Sequence, residues 1–350
     1  RPDDEVVNGK EAAGGGAVLT PGLVDLHGHG GGGFAYDDGK DAIRGARALH
    51  RAHGTTRAVI SLVTAPLNLL AQRVSEIATL VGTDGVLGSH LEGPFLDPGH
   101  KGAHDPTLLR EPHPDDVAAL LEAGVHDGRQ TIRQITLAPE LPGGLEAVCQ
   151  ITDAGVICAI GHTDADEGIS RLAIERGATL VTHAFNAMRP IHHRLPGPVP
   201  TAAADERVTV ELIADGVHVA ESVMRMLALA APHRLALVTD AMAAAGMPDG
   251  DYLLGTLEVT VADGVARLKE GDSIAGSTLT LDAAIRHAIA FGLPLALAIE
   301  AATSTPARVI GESDRIGSLR PGLVGDAVLW NEDLRIVRVW ADGEAVSATP

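Results

Sequence analysis

Short, uninterrupted apolar runs alternate along the chain with longer stretches in which apolar residues recur every three or four positions. Runs of the first kind read as strands buried on both faces and stretches of the second kind as helices, the alternation of parallel β/α architecture. The strands are predicted at 22–27, 56–63, 86–91, 132–138, 156–161, 179–183, 208–214 and 235–239. Between them, 41–53, 67–80, 115–123, 164–176 and 220–231 have helical periodicity or good helix formers, with Asp or Pro near several starts. Eight such units fit a closed barrel or an open doubly wound sheet, and the polar positions separate the two. His27 and His29 follow the first run, Glu92 the third, His162 the fifth, His183 the sixth, His218 the seventh and Asp240 the eighth. In a barrel these strand ends share one face and converge, whereas an open sheet spreads them along an edge.

Beyond Asp240 the pattern changes. Runs 257–261 and 265–269 flank Ala262-Asp263-Gly264 as a hairpin, 279–291 and 294–302 read as helices, and 315–346 as short strands broken by Pro321-Gly322 and Asp342-Gly343. The expected architecture is α/β: a (β/α)8 TIM-like barrel over residues 21–312, with a small β-sandwich subdomain built from the chain termini, 1–20 and 313–350.

Composition narrows the partners. With 350 residues, 45% hydrophobic and 21% charged, the chain can bury one large core. Its 27 Lys and Arg face 46 Asp and Glu, a formal net charge of -19, which argues against nucleic acid or an anionic membrane as partner. At 2% aromatic residues there are few platforms for stacking bases. Any anionic substrate must be caught by a local cation. No apolar run reaches the roughly eighteen residues of a membrane span, and Arg1 to Lys10 is too polar for a signal peptide. Cys149 and Cys158 lie in apolar surroundings without metal-type spacing and read as reduced core residues, so a cytoplasmic location is expected.

The sharpest chemical signal is Val24-Asp25-Leu26-His27-Gly28-His29. Two His at i and i+2 on an extended segment point to one side, so both imidazoles can reach one cation. Taken alone, such a pair reads sooner as a core His beside a surface one; its place at a barrel strand end, followed by the other polar strand ends, favours the metal. Glu92, directly after an apolar run, is a carboxylate that wants a cation if buried, and otherwise an N-cap or surface residue. His162 and His183, each ending an apolar run, suit a divalent transition metal, and Asp240 adds a carboxylate able to hold and deprotonate a water. His104, beyond 97–102, is a candidate electrophile or a plain loop residue. Arg194, in Ile191-His192-His193-Arg194, and His218, in Asp215-Gly216-Val217-His218, are the cationic groups available for a phosphate, although a lone Arg equally often pairs with a surface carboxylate.

On these residues the chain resembles the amidohydrolase superfamily and, within it, the N-acetylglucosamine-6-phosphate deacetylase family. The resemblance runs from about Leu19 onward and is carried by Pro21-Gly22-Leu23-Val24-Asp25-Leu26-His27-Gly28-His29-Gly30, His90-Leu91-Glu92-Gly93-Pro94-Phe95, Lys101-Gly102-Ala103-His104, Gly161-His162-Thr163, His183-Ala184-Phe185-Asn186-Ala187-Met188, Asp215-Gly216-Val217-His218 and Thr239-Asp240-Ala241. It implies metal-dependent hydrolysis of the acetamide of N-acetyl-D-glucosamine 6-phosphate to D-glucosamine 6-phosphate and acetate, in amino-sugar catabolism and cell-wall sugar recycling. Glu92, His162 and His183 are then ligands of the common metal and His27 and His29 complete a second site, with one or two divalent transition metals per subunit, zinc first and iron, manganese, cobalt or cadmium as alternatives. Asp240 is implied as catalytic base at the metal, His104 as the group that polarises the acetyl carbonyl, and Asn186 and Ala187 as sugar contacts. Arg194 and His218 are implied to bind the phosphate, in a homodimer whose interface can be crossed by those contacts, and Ile274-Ala275-Gly276 matches a substrate loop. Two departures stand out. Only residues 1–20 precede the barrel, which leaves a reduced subdomain or a shortened chain, and Leu195 stands where a carboxylate is expected beside Arg194. The competing expectations are another amidohydrolase, dihydroorotase-like or acting on N-acyl amino acids, and a non-catalytic sugar-phosphate-binding protein.

Overall fold

In the computed structural model, residues 18–271 and 273–346 are described. Of the expected N-terminal part of the small subdomain, residues 1–17 lie outside the described residues, as does the polar Arg1–Lys10 stretch.

The chain enters through β1 (Val18–Pro21) and then forms eight parallel strands: β2 (Leu23–Asp25), β3 (Thr55–Leu62), β4 (Val86–Glu92), β5 (Ile132–Leu137), β6 (Ile157–Ile160), β7 (Leu180–Val181), β8 (Thr209–Ile213) and β9 (Leu235–Val238). Each pairs with its sequence neighbour, so the sheet order follows the chain order. These are the eight runs expected from sequence, and they form strands because both faces are covered: every residue of β3, β4 and β8 is buried. The sheet curls until β2 meets β9. Thr239 Oγ1 donates to Asp25 Oδ2 at 2.6 Å, Asp240 N to His27 O at 2.8 Å and His29 N to Ala241 O at 2.7 Å, closing the barrel across that seam.

Helices α1 (Lys40–Ala52), α2 (Leu67–Ala78), α3 (Pro114–Ala123), α4 (Gly144–Asp153), α5 (Glu167–Glu175), α6 (Pro198–Ala203) and α7 (Glu221–Ala230) occupy the crossovers. Sequence periodicity starts α5 at Asp164. The helix begins later because the Asp166 side chain accepts from Ile169 N at 2.9 Å and caps it, a contact worth about 1 kcal/mol. After β9, three antiparallel strands, β10 (Gly250–Leu254), β11 (Leu257–Ala262) and β12 (Val265–Leu268), extend the expected hairpin by one strand. Their inner face packs Leu254, Val259 and Val261 on Val63 and Met242 at the rim of the barrel. Helices α8 (Leu281–Ala290), α9 (Leu295–Ala301) and α10 (Ser304–Val309) complete the ring.

The tail returns as β13 (Ala327–Trp330), β14 (Ile336–Ala341) and β15 (Glu344–Ala345). Antiparallel pairing of β1 with β13 joins the two ends of the described chain in one four-stranded sheet. The sheet is fixed to the barrel by Arg57 of β3, whose guanidinium reaches Asp326 at 2.6 and 2.9 Å and Asp342 at 2.6 Å.

Candidate active site

The side chains that end the strands face one cavity of about 380 Å³ at the carboxyl end of the barrel, within the range of small-molecule sites. His29, Glu92, His104, His162, His183, Asn186, Ala187, His218, Asp240, Ile274 and Gly276 line it. His27 is fully buried just beneath, Ala275 is buried behind its neighbours, and Arg194 is exposed at 191–195, outside the lining. Three of the convergent groups sit at positive φ: His162 at 49°, His183 at 24° and Asp240 at 48°. This left-handed turn lifts each side chain off the ladder and over the barrel mouth, at a cost of order 1 kcal/mol or more each for residues with a Cβ. Gly93, directly after Glu92, has φ 86°, and a Cβ there would collide with Thr64 Oγ1.

Glu92 is the centre. Its Oε1 lies 3.0 Å from His162 Nε2 and 3.0 Å from His183 Nε2, and its Oε2 lies 3.1 Å from His29 Nε2 and 3.3 Å from His104 Nε2. His27 Nε2 is 3.2 Å from His29 Nε2 and 3.4 Å from Glu92 Oε1. Asp240 Oδ1 closes the other side, 3.3 Å from His29 Nε2 and 3.6 Å from His27 Nε2. Among the described residues, two groups have donor atoms close enough to share a cation, His27, His29 and Glu92 in one and Glu92, His104 and His162 in the other.

The tautomers show what this arrangement suits. His162 Nδ1 donates to His100 O at 2.9 Å, and His27 Nδ1 donates to Glu211 Oε2 at 3.1 Å. In the neutral rings each Nε2 therefore turns a lone pair inward, His162 toward another imidazole nitrogen 3.0 Å away and His27 toward one at 3.2 Å. Buried lone pairs facing each other and two carboxylates are the donor set of a divalent cation, with the outer nitrogens of His27 and His162 held by oxygen acceptors. The residues fit the metal that the resemblance implies.

Electrostatics agree. Burial alone would keep His27 and His29 neutral, yet Glu92 and Asp240 outweigh it and draw both rings toward the charged form, His29 to about 9. Burial likewise disfavours the Asp240 carboxylate, but His27 and His29 hold it down at about 2, and the surrounding imidazoles hold Glu92 well below the ordinary carboxylate range. The two buried carboxylates thus favour positive charge at the centre of the cluster. His104 differs. Burial outweighs Glu92 and depresses it to about 4, and Thr64 N donates to its Nδ1 at 3.4 Å, which leaves the proton on Nε2, facing Glu92 Oε2 at 3.3 Å.

His218 Nδ1 lies 2.6 Å from Asp215 Oδ2; burial opposes the charged ring, but Asp215 prevails and its pKa is raised. Asn186 turns its amide nitrogen back onto His183 O and Ala184 O at 3.1 and 3.2 Å.

Sequence reading missed Asp25 and Glu211. Both are carboxylates inside runs read as plain apolar strands, and that was the available signal: a lone acid amid residues buried on both faces needs a partner.

A parallel barrel whose strand ends gather imidazoles and carboxylates around a cation position defines a metal-type hydrolase. The amidohydrolase family profile matches residues 18–346, and the chain belongs to that family. It is 38% identical over 336 residues to the N-acetylgalactosamine-6-phosphate deacetylase of Escherichia coli O157:H7, covering 94% of this chain and 88% of that protein. It is 34% identical to the N-acetylglucosamine-6-phosphate deacetylase of Danio rerio, covering 94% and 84%. Among solved structures, a mutant N-acetyl-D-glucosamine-6-phosphate deacetylase from Mycobacterium smegmatis in complex with N-acetyl-D-glucosamine-6-phosphate superposes with a TM-score of 0.91 at 46% identity, covering 95% of this chain and 87% of that one. The N-acetylglucosamine-6-phosphate deacetylase of Thermotoga maritima gives 0.88 at 28% identity, covering 96% and 90%.

Proposed function

We propose that this chain hydrolyses the acetamide of N-acetyl-D-glucosamine 6-phosphate to D-glucosamine 6-phosphate and acetate. The observation that carries the reading is Glu92 shared between His162 and His183 on one oxygen and His29 and His104 on the other, beside Asp240. Support for the substrate is the 46% identity to the Mycobacterium smegmatis enzyme in complex with that sugar.

Glu92, His162 and His183 would hold one cation, and His27 and His29 with Asp240 a second; a His-rich set with carboxylates suits zinc. When bound, the cation supplies a Lewis acid that polarises the acetyl carbonyl and acidifies water at neutral pH. Asp240 takes the proton from the attacking water and passes it to the amine nitrogen, which leaves poorly as an anion. His104, neutral and with its Nε2 proton free to swing from Glu92, donates to the carbonyl oxygen as charge develops there. Asn186, Ala187 and the Ile274-Ala275-Gly276 loop bound the sugar. His218, whose ring Asp215 draws toward the charged form, takes the phosphate, and Arg194, exposed on its own subunit, reaches the phosphate of a neighbour in a homodimer. No described helix is long and apolar enough to cross a membrane, and a cytoplasmic enzyme fits the sugar-phosphate substrate. The domain division that accompanies this reading is 1–20 and 313–350 in the small subdomain and 21–312 in the barrel.

The 38% identity to the Escherichia coli protein favours N-acetyl-D-galactosamine 6-phosphate as a second substrate. Acetate release from both phosphosugars and from unphosphorylated N-acetylglucosamine, with chelator and metal add-back, decides. No release from any of them with metal restored would overturn the reading.

A further inference from the structure

Glu211 lies in the middle of β8, fully buried in the barrel interior, and does not line the cavity. A carboxylate in such a place costs several kcal/mol unless its oxygens are matched. Its Oε2 accepts from His27 Nδ1 at 3.1 Å and from the His183 backbone N–H at 3.3 Å, and its Oε1 accepts from Gln134 Nε2 at 3.1 Å. One side chain thus grips the ring of a residue in the first strand's tail and the backbone of a residue beyond the sixth barrel strand. Among the described residues His27 Nδ1 has no other acceptor, so Glu211 fixes which nitrogen of that ring carries the proton and how the ring is turned. The second bond holds the His183 N–H where φ is 24°, the turn that brings this imidazole over the barrel.

We propose that Glu211 is a positioning residue for the metal centre: through His27 Nδ1 and His183 N it orients two imidazoles for a divalent cation that it does not touch. This rests on the hydrolase reading above. Gln134 belongs to the same device, since its amide restrains Glu211 from the side opposite His27. Outer hydrogen-bond partners of metal-bound His commonly set affinity by about 10- to 100-fold, which is the effect assigned to Glu211.

The test uses the full chain carrying Glu211→Gln, a substitution that keeps volume and one acceptor oxygen. Zinc is titrated against a chromophoric chelator in parent and variant, with the thermal midpoint of each after metal stripping. The expected result is about 10- to 100-fold weaker zinc binding by E211Q, little change in the stripped midpoint, and kcat recovered by raising free zinc. A folded E211Q that binds zinc as tightly as the parent overturns the role of Glu211 and leaves the hydrolase reading standing. A parent that takes up no zinc or other divalent metal overturns both. Should E211Q fail to fold, long-range ¹H–¹⁵N correlation on the zinc-loaded parent keeps the question open to refutation: a proton on His27 Nδ1 is expected, and a proton on Nε2 sinks the proposal.

Discussion

The Arg57 guanidinium holds Asp326 by two hydrogen bonds of 2.6 and 2.9 Å, a two-pronged pair with both side chains buried between the barrel and the four-stranded sheet. Asp326 also accepts from Thr56 Oγ1 at 3.1 Å, and its backbone O accepts from Gly22 N at 2.9 Å, so it meets both barrel strands that begin the fold. Asp326→Ala leaves a buried cation with only Asp342 for company, and stability is expected to fall by about 3–5 kcal/mol in urea unfolding. Replacing Arg57 and Asp326 together by Leu should cost less than Asp326→Ala alone. A larger loss in the double variant would contradict this account.

Asp240→Asn removes the proton acceptor while keeping the shape of the site. Turnover should drop on the order of 10²–10⁴-fold, with metal content after gel filtration within a factor of two of the parent's. Near-normal acetate release would remove Asp240 from the proton transfer.

The resemblance of runs 132–138 and 235–239 to the observed β5 and β9 has a simple cause: a strand covered on both faces must be apolar throughout, and little else in a chain is. Run 179–183 shrinks to Leu180–Val181 because the ladder stops short of His183, which turns to positive φ, and nothing in Thr-His-Ala announces that. Strand β10 was unreadable for the opposite reason: Gly250-Asp251-Tyr252-Leu253-Leu254 buries one residue of five and earns its pairing from β11. In the site, every group expected at a strand end is there, since strand ends of a barrel share a face. Arg194 is the contrast. Its motif was legible, but it stands exposed outside the cavity of its own chain, a placement that the motif gives no sign of.

His50 offers a pH signature clear of the cavity lining. It is buried, its Nε2 donates to Gly30 O at 2.8 Å, and burial, against that bond, lowers its pKa to about 4. An unfolded His titrates near about 6.5. Between that pH and 4 the unfolded chain binds a proton that the folded chain refuses, so stability falls as pH falls through this window and is independent of this group above it. Between pH 7 and 5, His50→Gln should lose about 2 kcal/mol less than the parent. Unfolding curves at pH 7, 6 and 5 provide the comparison, and equal losses would refute it.

His218, paired with Asp215, stands in the cavity lining at the place proposed for the phosphate. His218→Gln should reduce kcat/KM on the phosphorylated sugar by about 10- to 100-fold, the worth of a hydrogen bond to a charged group. The value for unphosphorylated N-acetylglucosamine should stay as it was. Equal loss on both would move His218 from phosphate recognition to the reaction itself.

The barrel closes where Asp25 meets Thr239, a contact spanning 214 positions of the chain. During synthesis at roughly 5–20 residues per second, the first strand and its His pair therefore wait on the order of ten to forty seconds before their last neighbours exist. Asp240 arrives with those neighbours. A nascent chain stopped short of β9 carries most of the imidazoles of the site with neither the ring that aligns them nor the carboxylate beside them, so activity should be born late in translation and all at once.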